Sequence, residues 1–460
     1  MLFAKKIIRL TPFLGLVCFL TPTKAQINSP FSRYGLGNEI LNHQNINSQA
    51  MGGFSAAYSP SMNSSFGQSI NFNNPATYGN IFMTTFDLGI SLTSTTLKSA
   101  NPVASYTSNY LVPNYLAIGV PISKAKKIGM AFGLRPLTQI NFSLDTIVKI
   151  NTGDSVANNY LGQGGLNQVF FGFGKSWKYL RLGFNTGYNF GRKKIQNIKS
   201  FQYNPDSTYF YQSISNTNTL FGGVFLNLGL QGEFPIHIVN RPKLNEKTEY
   251  SISVGATATM DQTMTGQQDK LRSTGRYSST SESNLDTVKF SLNEPGKILI
   301  PALYTAGFAL HKKETSNRGT YDQWVVGIEY SSRRWKDKYL FYGQPDNLSN
   351  SWMIRVAAQY CPNAFDFQNY WSTVIYRLGF YTGNDYINID NNGLKVSAFT
   401  SGLSLPIRKY RSYDNQFSLL NLALQIGQRG SSVNNYKEGF VQISMGYSLS
   451  DIWFNKRKYD

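Results

Sequence analysis

Cysteine, histidine and charge are all scarce in this 460-residue chain, and each scarcity excludes something. There are two cysteines, Cys18 and Cys361. Cys18 lies in the first apolar stretch, where Gly15 stands in the position a lipobox gives to leucine. Without that stretch Cys361 is alone, which rules out an intramolecular disulfide and a cysteine-based metal site. Three histidines, His43, His237 and His311, are far apart in sequence. They form no Ser-His-Asp arrangement and no metal-ligand spacing, so the chain reads as a non-enzyme with no catalytic residue, metal or cofactor. Long apolar runs are missing too: after residue 25 no eighteen consecutive apolar residues occur, which excludes a transmembrane helix. No linker, charge block or low-complexity stretch divides the chain.

What is present begins with a secretory pattern. Lys5, Lys6 and Arg9 precede the apolar "LTPFLGLVCFL", and small residues end at Ala25. Residues 1–25 are expected to be a cleaved signal peptide; a retained anchor is the alternative. Cleavage takes four basic residues and lowers the formal charge from +19 to +15. An exported chain without a dense basic, aromatic-laced run is not a nucleic-acid binder. Phospholipid head groups or an acidic surface polymer fit its charge better. Aromatic residues make up 14%, with 29 Tyr and 31 Phe beside 40 Gly. That balance at a mean hydropathy of −0.29 suits an outer-membrane β-barrel.

The periodicity agrees. "FDLGISL" puts Phe86, Leu88, Ile90 and Leu92 on one face. "LRLGFNTGYNF" opposes Leu182, Phe184, Tyr188 and Phe190 to Arg181, Asn185 and Asn189. "WMIRVAAQY" opposes Trp352, Ile354 and Val356 to Arg355 and Gln359. Apolar-out, polar-in alternation is what a wall between lipid and a polar interior requires. About fourteen such segments can be marked, from 83–97 to 438–454, most long enough to cross a bilayer at a tilt. The predicted fold is therefore all-β, a transmembrane antiparallel barrel over 83–454 with a basic periplasmic tail at 455–460. Connections alternate between short ("SKAKK", "SWKY") and long, the longest at 263–296, while the segments near 195–212 and 285–292 read either as loop or as further strands or extensions above the membrane. His237 and His311 fall in expected periplasmic turns. Lys124, Lys126 and Lys127 make one short turn basic, either as solvated turn residues or as contacts to anionic lipid. Trp453 and Phe454 close the final strand with aromatics suited to a membrane edge. That ending resembles the C-terminal signal read by barrel-assembly machinery, which would be a partner.

Residues 26–82 do not alternate. They hold "SPFSRYGLGN", then Ala50-Met51-Gly52-Gly53 and Ala56-Ala57, then "NFNNPATYGN" with Asn74-Pro75-Ala76 and Tyr78. This segment resembles the FadL-like family of outer-membrane proteins, which includes fatty-acid and toluene channels and PorV-type secretion proteins; the opening and ending look like members from Bacteroidota. The resemblance implies that 26–82 is an N-terminal plug inside a fourteen-stranded barrel. The physics is compatible. Such a barrel is too wide for its own side chains to fill, and Gly, Ala and Asn allow tight irregular packing. A disordered leader is the alternative, against which stand Phe54, Tyr58, Phe66, Phe72 and Tyr78.

The same resemblance implies a kinked third strand with a lateral opening. "FGLRPLTQINF" places Pro136 mid-strand, unable to donate a ladder hydrogen bond, with Gly133 beside it. A simple bulge is the alternative. Two functions follow: passive uptake of a hydrophobic small molecule with release into the membrane, or a carrier or accessory role in a secretion or assembly complex. A structural scaffold or adhesin is a third. Finally, Asp precedes a hydroxyl residue at Thr146, Ser155, Ser207 and Thr287, all in expected outer loops. The pattern resembles an O-glycosylation sequon of Bacteroidota; chance in polar loops is the alternative.

Overall fold

The computed structural model describes residues 29–39, 45–60, 68–100, 103–150, 155–202, 210–241, 246–277, 282–317, 319–366, 368–389, 392–408, 417–430 and 436–451. A two-residue strand, β1 (Asn38–Glu39), precedes the wall. Then come β2 (Thr84–Ser99), β3 (Ala104–Ser123), β4 (Ile128–Lys149), β5 (Ser155–Ser176), β6 (Leu180–Gln202), β7 (Gln212–Arg241) and β8 (Glu246–Thr259). A hairpin follows, β9 (Gln262–Tyr277) and β10 (Glu282–Ile300). The wall resumes with β11 (Leu303–Ser316) and β12 (Gly319–Arg333), passes the short β13 (Leu340–Phe341), and ends with β14 (Ser351–Tyr360), β15 (Ile375–Ile389), β16 (Asn392–Arg408), β17 (Phe417–Gly430) and β18 (Tyr436–Asp451).

Fourteen of these strands, β2–β8, β11, β12 and β14–β18, form an antiparallel barrel. Closure comes from β18 against β2, from Tyr436↔Ser99 to Asp451↔Thr84, so no outer edge is left on either strand. Side-chain facing follows the alternation. Leu88, Ile90, Leu182, Phe184, Val326, Ile328, Ile354 and Val356 are exposed on the outer face, while Asp87, Arg181, Asn185, Asn189, Glu329, Arg355 and Gln359 are buried on the inner face. Prolines mark four of the irregularities. Register shifts fall at Pro113, Pro121, Pro136 and Pro235, where a missing N–H leaves the ladder one donor short.

The connections differ from expectation. The stretch 263–296 is not a loop: β9 pairs with the upper part of β7, and β10 with β9. The ladder likewise runs on into the expected loops. Thr146 pairs with Asn158, and Ser155 with both Lys149 and Gln202, so these are strand residues. Polar alternating stretches form strands here because a neighbour already offers an edge; composition alone reads them as loops. His237 and His311 lie within β7 and β11, not in turns. Residues 1–28, Ser207 and residues 452–460, with Trp453, Phe454 and the basic tail, lie outside the described residues.

Candidate functional site

The N-terminal residues meet the wall where the wall has no side chains. Gly129, Gly174, Gly183 and Gly229 are direct cross-strand partners on β4, β5, β6 and β7. A Cβ on Gly174 or Gly183 would strike the Pro75 carbonyl oxygen, one on Gly229 the Asn74 amide oxygen, and one on Gly129 the Tyr78 carbonyl. Farther along, a Cβ on Gly255 would strike the Ala56 carbonyl. This glycine ladder lets the 3-10 turn Pro75–Asn80 lie with its backbone against the sheet.

Asparagines replace a regular hydrogen-bond ladder inside. Asn74 caps the turn by accepting from the Ala76 amide (3.1 Å) and donates to the Ala56 carbonyl (2.5 Å). Asn71 donates to the carbonyls of Ser55 (2.7 Å) and Tyr58 (2.8 Å). Gly52 and Gly53 have φ of +67° and +89°, so both positions favour glycine. The Gly52 amide then reaches Thr400 Oγ1 (2.7 Å). Tyr78, Phe54 and Phe72 are fully buried.

Charged wall residues hold the same segment. Glu329 Oε2 accepts from the amides of Ser55 (2.8 Å) and Ala56 (2.6 Å), while its Oε1 pairs with Arg355 (3.2 Å). Asp87 accepts from the Ile70 amide (3.0 Å), Tyr115 (3.1 Å) and Ser448 (3.1 Å). Other charged wall residues pair among themselves: Glu233 bridges Arg181 and Lys313, and His311 Nδ1 stands 3.7 Å from Asp322. Sequence reading assigned none of these residues a role. Period-two alternation identifies them as inward-facing, but not what they face. Among the described residues no three His, Cys, Asp or Glu gather as metal ligands would.

The wall is interrupted beside Pro136. β3 and β4 pair only from Ser123↔Ile128 to Leu116↔Leu134, although both strands continue well beyond. Gly133 sits in the last paired stretch, where a side chain would collide with the Phe170 ring. Past Pro136 the β4–β5 ladder slips by one residue, and Thr138 Oγ1 accepts from the Leu166 amide (3.1 Å). Beyond the break β4 has a different neighbour: Asn38 and Glu39 of β1 pair with Gln139 and Thr138. Ser32 Oγ accepts from the Asn141 amide (3.2 Å). Arg135 lies just inside, donating to Gln168 (2.8 Å) and Asn73 (2.6 Å), with its guanidinium 4.9 Å from the Phe72 ring.

The mouth at the long-loop end is occupied by an apolar cluster. Phe31 and Leu36 pack with Met264 and Ile298 of the hairpin, Trp335 and Tyr339 of the β12–β14 connection, and Tyr386 of β15. Trp335 and Tyr386 rings are 4.9 Å apart. Polar ties surround it: Arg333 to Glu39 (2.9 Å), the Gly35 amide to Asp346 (2.8 Å) and Lys193 to the Gly35 carbonyl (2.7 Å). Asp261 joins the hairpin to this cap; the hydrogen bonds from Lys338 and the Ala302 amide hold its carboxyl below the usual range. Two lumen cavities lie beneath, of about 180 and 30 Å³. Arg135, Glu39, Glu329, Arg333, Arg355 and Arg429 line them, interspersed with apolar side chains such as Leu137, Leu166, Ile300 and Trp352. Thr146 and Thr287 are exposed on strand extensions, and Ser155 is half-buried.

A BamG family model matches residues 4–460. The chain belongs to the BamG family. As a fold, this chain is similar to solved barrels. One is the Ralstonia pickettii toluene transporter TbuX, at 16% identity and TM-score 0.51 over 90% of this chain and 99% of that one. Another is the P. putida toluene transporter TodX, at 15% identity and TM-score 0.51 over 90% and 100%. The FadL-type likeness drawn from residues 50–76 thus holds for the fold, while the sequence family is BamG. Comparison with curated proteins finds no match.

Proposed function

We propose that this chain is a non-enzymatic accessory subunit of an outer-membrane assembly complex, a barrel used for its surface and not as an open conduit. The apolar cluster at the mouth carries this reading: Trp335 and Tyr386, 4.9 Å apart, pack with Phe31 and Leu36 of the N-terminal segment. In this reading residues 26–82 are a plug, residues 83–454 the wall, and residues 1–25 the export signal that delivers the chain to the outer membrane. Membership of the BamG family favours barrel assembly as the partner class. The test is recovery of tagged protein from cross-linked membranes. Stoichiometric recovery with a larger outer-membrane complex is expected; recovery of the chain alone overturns the reading.

A second reading is supported by the interrupted β3–β4 ladder. Here the protein passively takes up hydrophobic small molecules of the fatty-acid or aromatic-hydrocarbon class and releases them sideways between Gly133 and Pro136. It requires Ser29–Glu39 to leave the β4 edge and the substrate to pass charged lumen residues. Unchanged uptake of toluene and oleate in a deletion strain would sink it.

A further inference from the structure

A groove of about 880 Å³ runs along the outer, lipid-facing side of the wall. Its floor is the backbone of Gly174, Gly183 and Gly229 together with Ala256, Ala258 and Ala306. Those glycines are the ones whose inner side meets Asn74 and Pro75. The wall there is one backbone thick, with the N-terminal segment against one side and an apolar trough on the other. Exposed rings and chains form the rims, Phe184 and Leu228 on one bank, Tyr304 and Tyr330 on the other.

The trough is chemically asymmetric. At the β4–β5 end it reaches Ile128 and Lys175, beside the short turns at 124–127 and 177–179. Lys175 is exposed, with its ammonium 4.9 Å from the Trp177 ring. Exposed Trp177 and Tyr179, the latter stacked on Phe234, mark the interfacial level at this end. Lys124, Lys126, Lys127 and Lys178 add positive charge nearby, whereas Lys175 is the one charged residue lining the groove. A partner strand would find no free edge, because the floor's backbone groups are committed to the β4–β7 ladders.

We propose that this groove is a phospholipid site. An acyl chain lies over Ala256 and Ala306, and its anionic phosphate is held at Lys175. Apolar burial supplies the affinity, and the lysine supplies head-group preference at the membrane surface. The site does not depend on the accessory-subunit reading, because its test measures bound lipid and no partner.

The experiment is native mass spectrometry of the full chain in mild detergent with phosphatidylglycerol or phosphatidylcholine added. Wild type is expected to retain phosphatidylglycerol. Ala256→Leu with Ala306→Leu, which fills the floor, is expected to retain at least fivefold less. Lys175→Glu is expected to abolish the preference for phosphatidylglycerol. Heat-modifiable gel migration establishes folding. If the double variant is unfolded, Lys175→Glu alone decides, and an unchanged head-group preference overturns the proposal. Equal retention by a folded double variant overturns it.

Discussion

The carboxylate of Glu329 accepts a hydrogen bond from the amide of Ala56, 273 positions earlier in the chain (2.6 Å). The contact joins wall to interior through one buried charge, whose other oxygen is held by Arg355. Removing the carboxylate strands both the arginine and two backbone donors. Glu329→Ala is expected to destabilise by about 3–5 kcal/mol. Glu329→Gln, which keeps an acceptor, should cost less. Heat-modifiable migration measured against temperature compares the two, and equal loss for both would contradict this account.

The glycine ladder gives a second prediction of a different kind. Gly183→Ala keeps the wall's pairing possible but denies Pro75 its seat. A folded barrel is expected whose N-terminal segment becomes cleavable at Phe72 and Tyr78 by added chymotrypsin. Gly52→Ala acts through backbone conformation, costing about 1–2 kcal/mol for a side chain in the left-handed region. A Gly183→Ala protein with wild-type protease resistance would show that the close approach is dispensable.

Trp335 tests whether the mouth is shut by packing. Trp335→Ala removes the ring that contacts Tyr339 and Tyr386 and should cost about 3–5 kcal/mol locally. Vesicles carrying the variant are expected to swell faster in small sugars than vesicles carrying wild type. Identical swelling would mean that the seal lies elsewhere.

Arg135 sits where β3 and β4 separate, donating to Asn73 and facing the Phe72 ring. Arg135→Lys keeps the charge but loses the planar stack and the forked hydrogen bonding. Increased chymotryptic cleavage at Phe72 and Tyr78 is expected, with barrel migration nearly unchanged. Equal protection of this stretch in both proteins would place its anchoring at Asn71 and Asn74 instead.

Much of the wall was legible because a strand's facing repeats every second residue. Leu182 out and Arg181 in can be read without knowing any neighbour. Pro136 was legible for a similarly local reason, since a proline has no donor whatever strand lies beside it. Pairing partners were less legible. The stretch 263–296 looks like a loop until β7 offers it an edge, and His311 looks like a turn residue until β11 extends past it.

By itself, then, the sequence determined the approximate number of wall strands, the outward apolar face and the small-residue character of residues 50–76. All three depend on local covalent chemistry and short-range periodicity. Only the tertiary structure decided that Gly129, Gly174, Gly183 and Gly229 stand in one row, that Glu329 meets Ala56, and that β1 takes the edge β3 leaves. Such meetings depend on register, and register emerges only when the barrel closes and every strand must satisfy both neighbours at once.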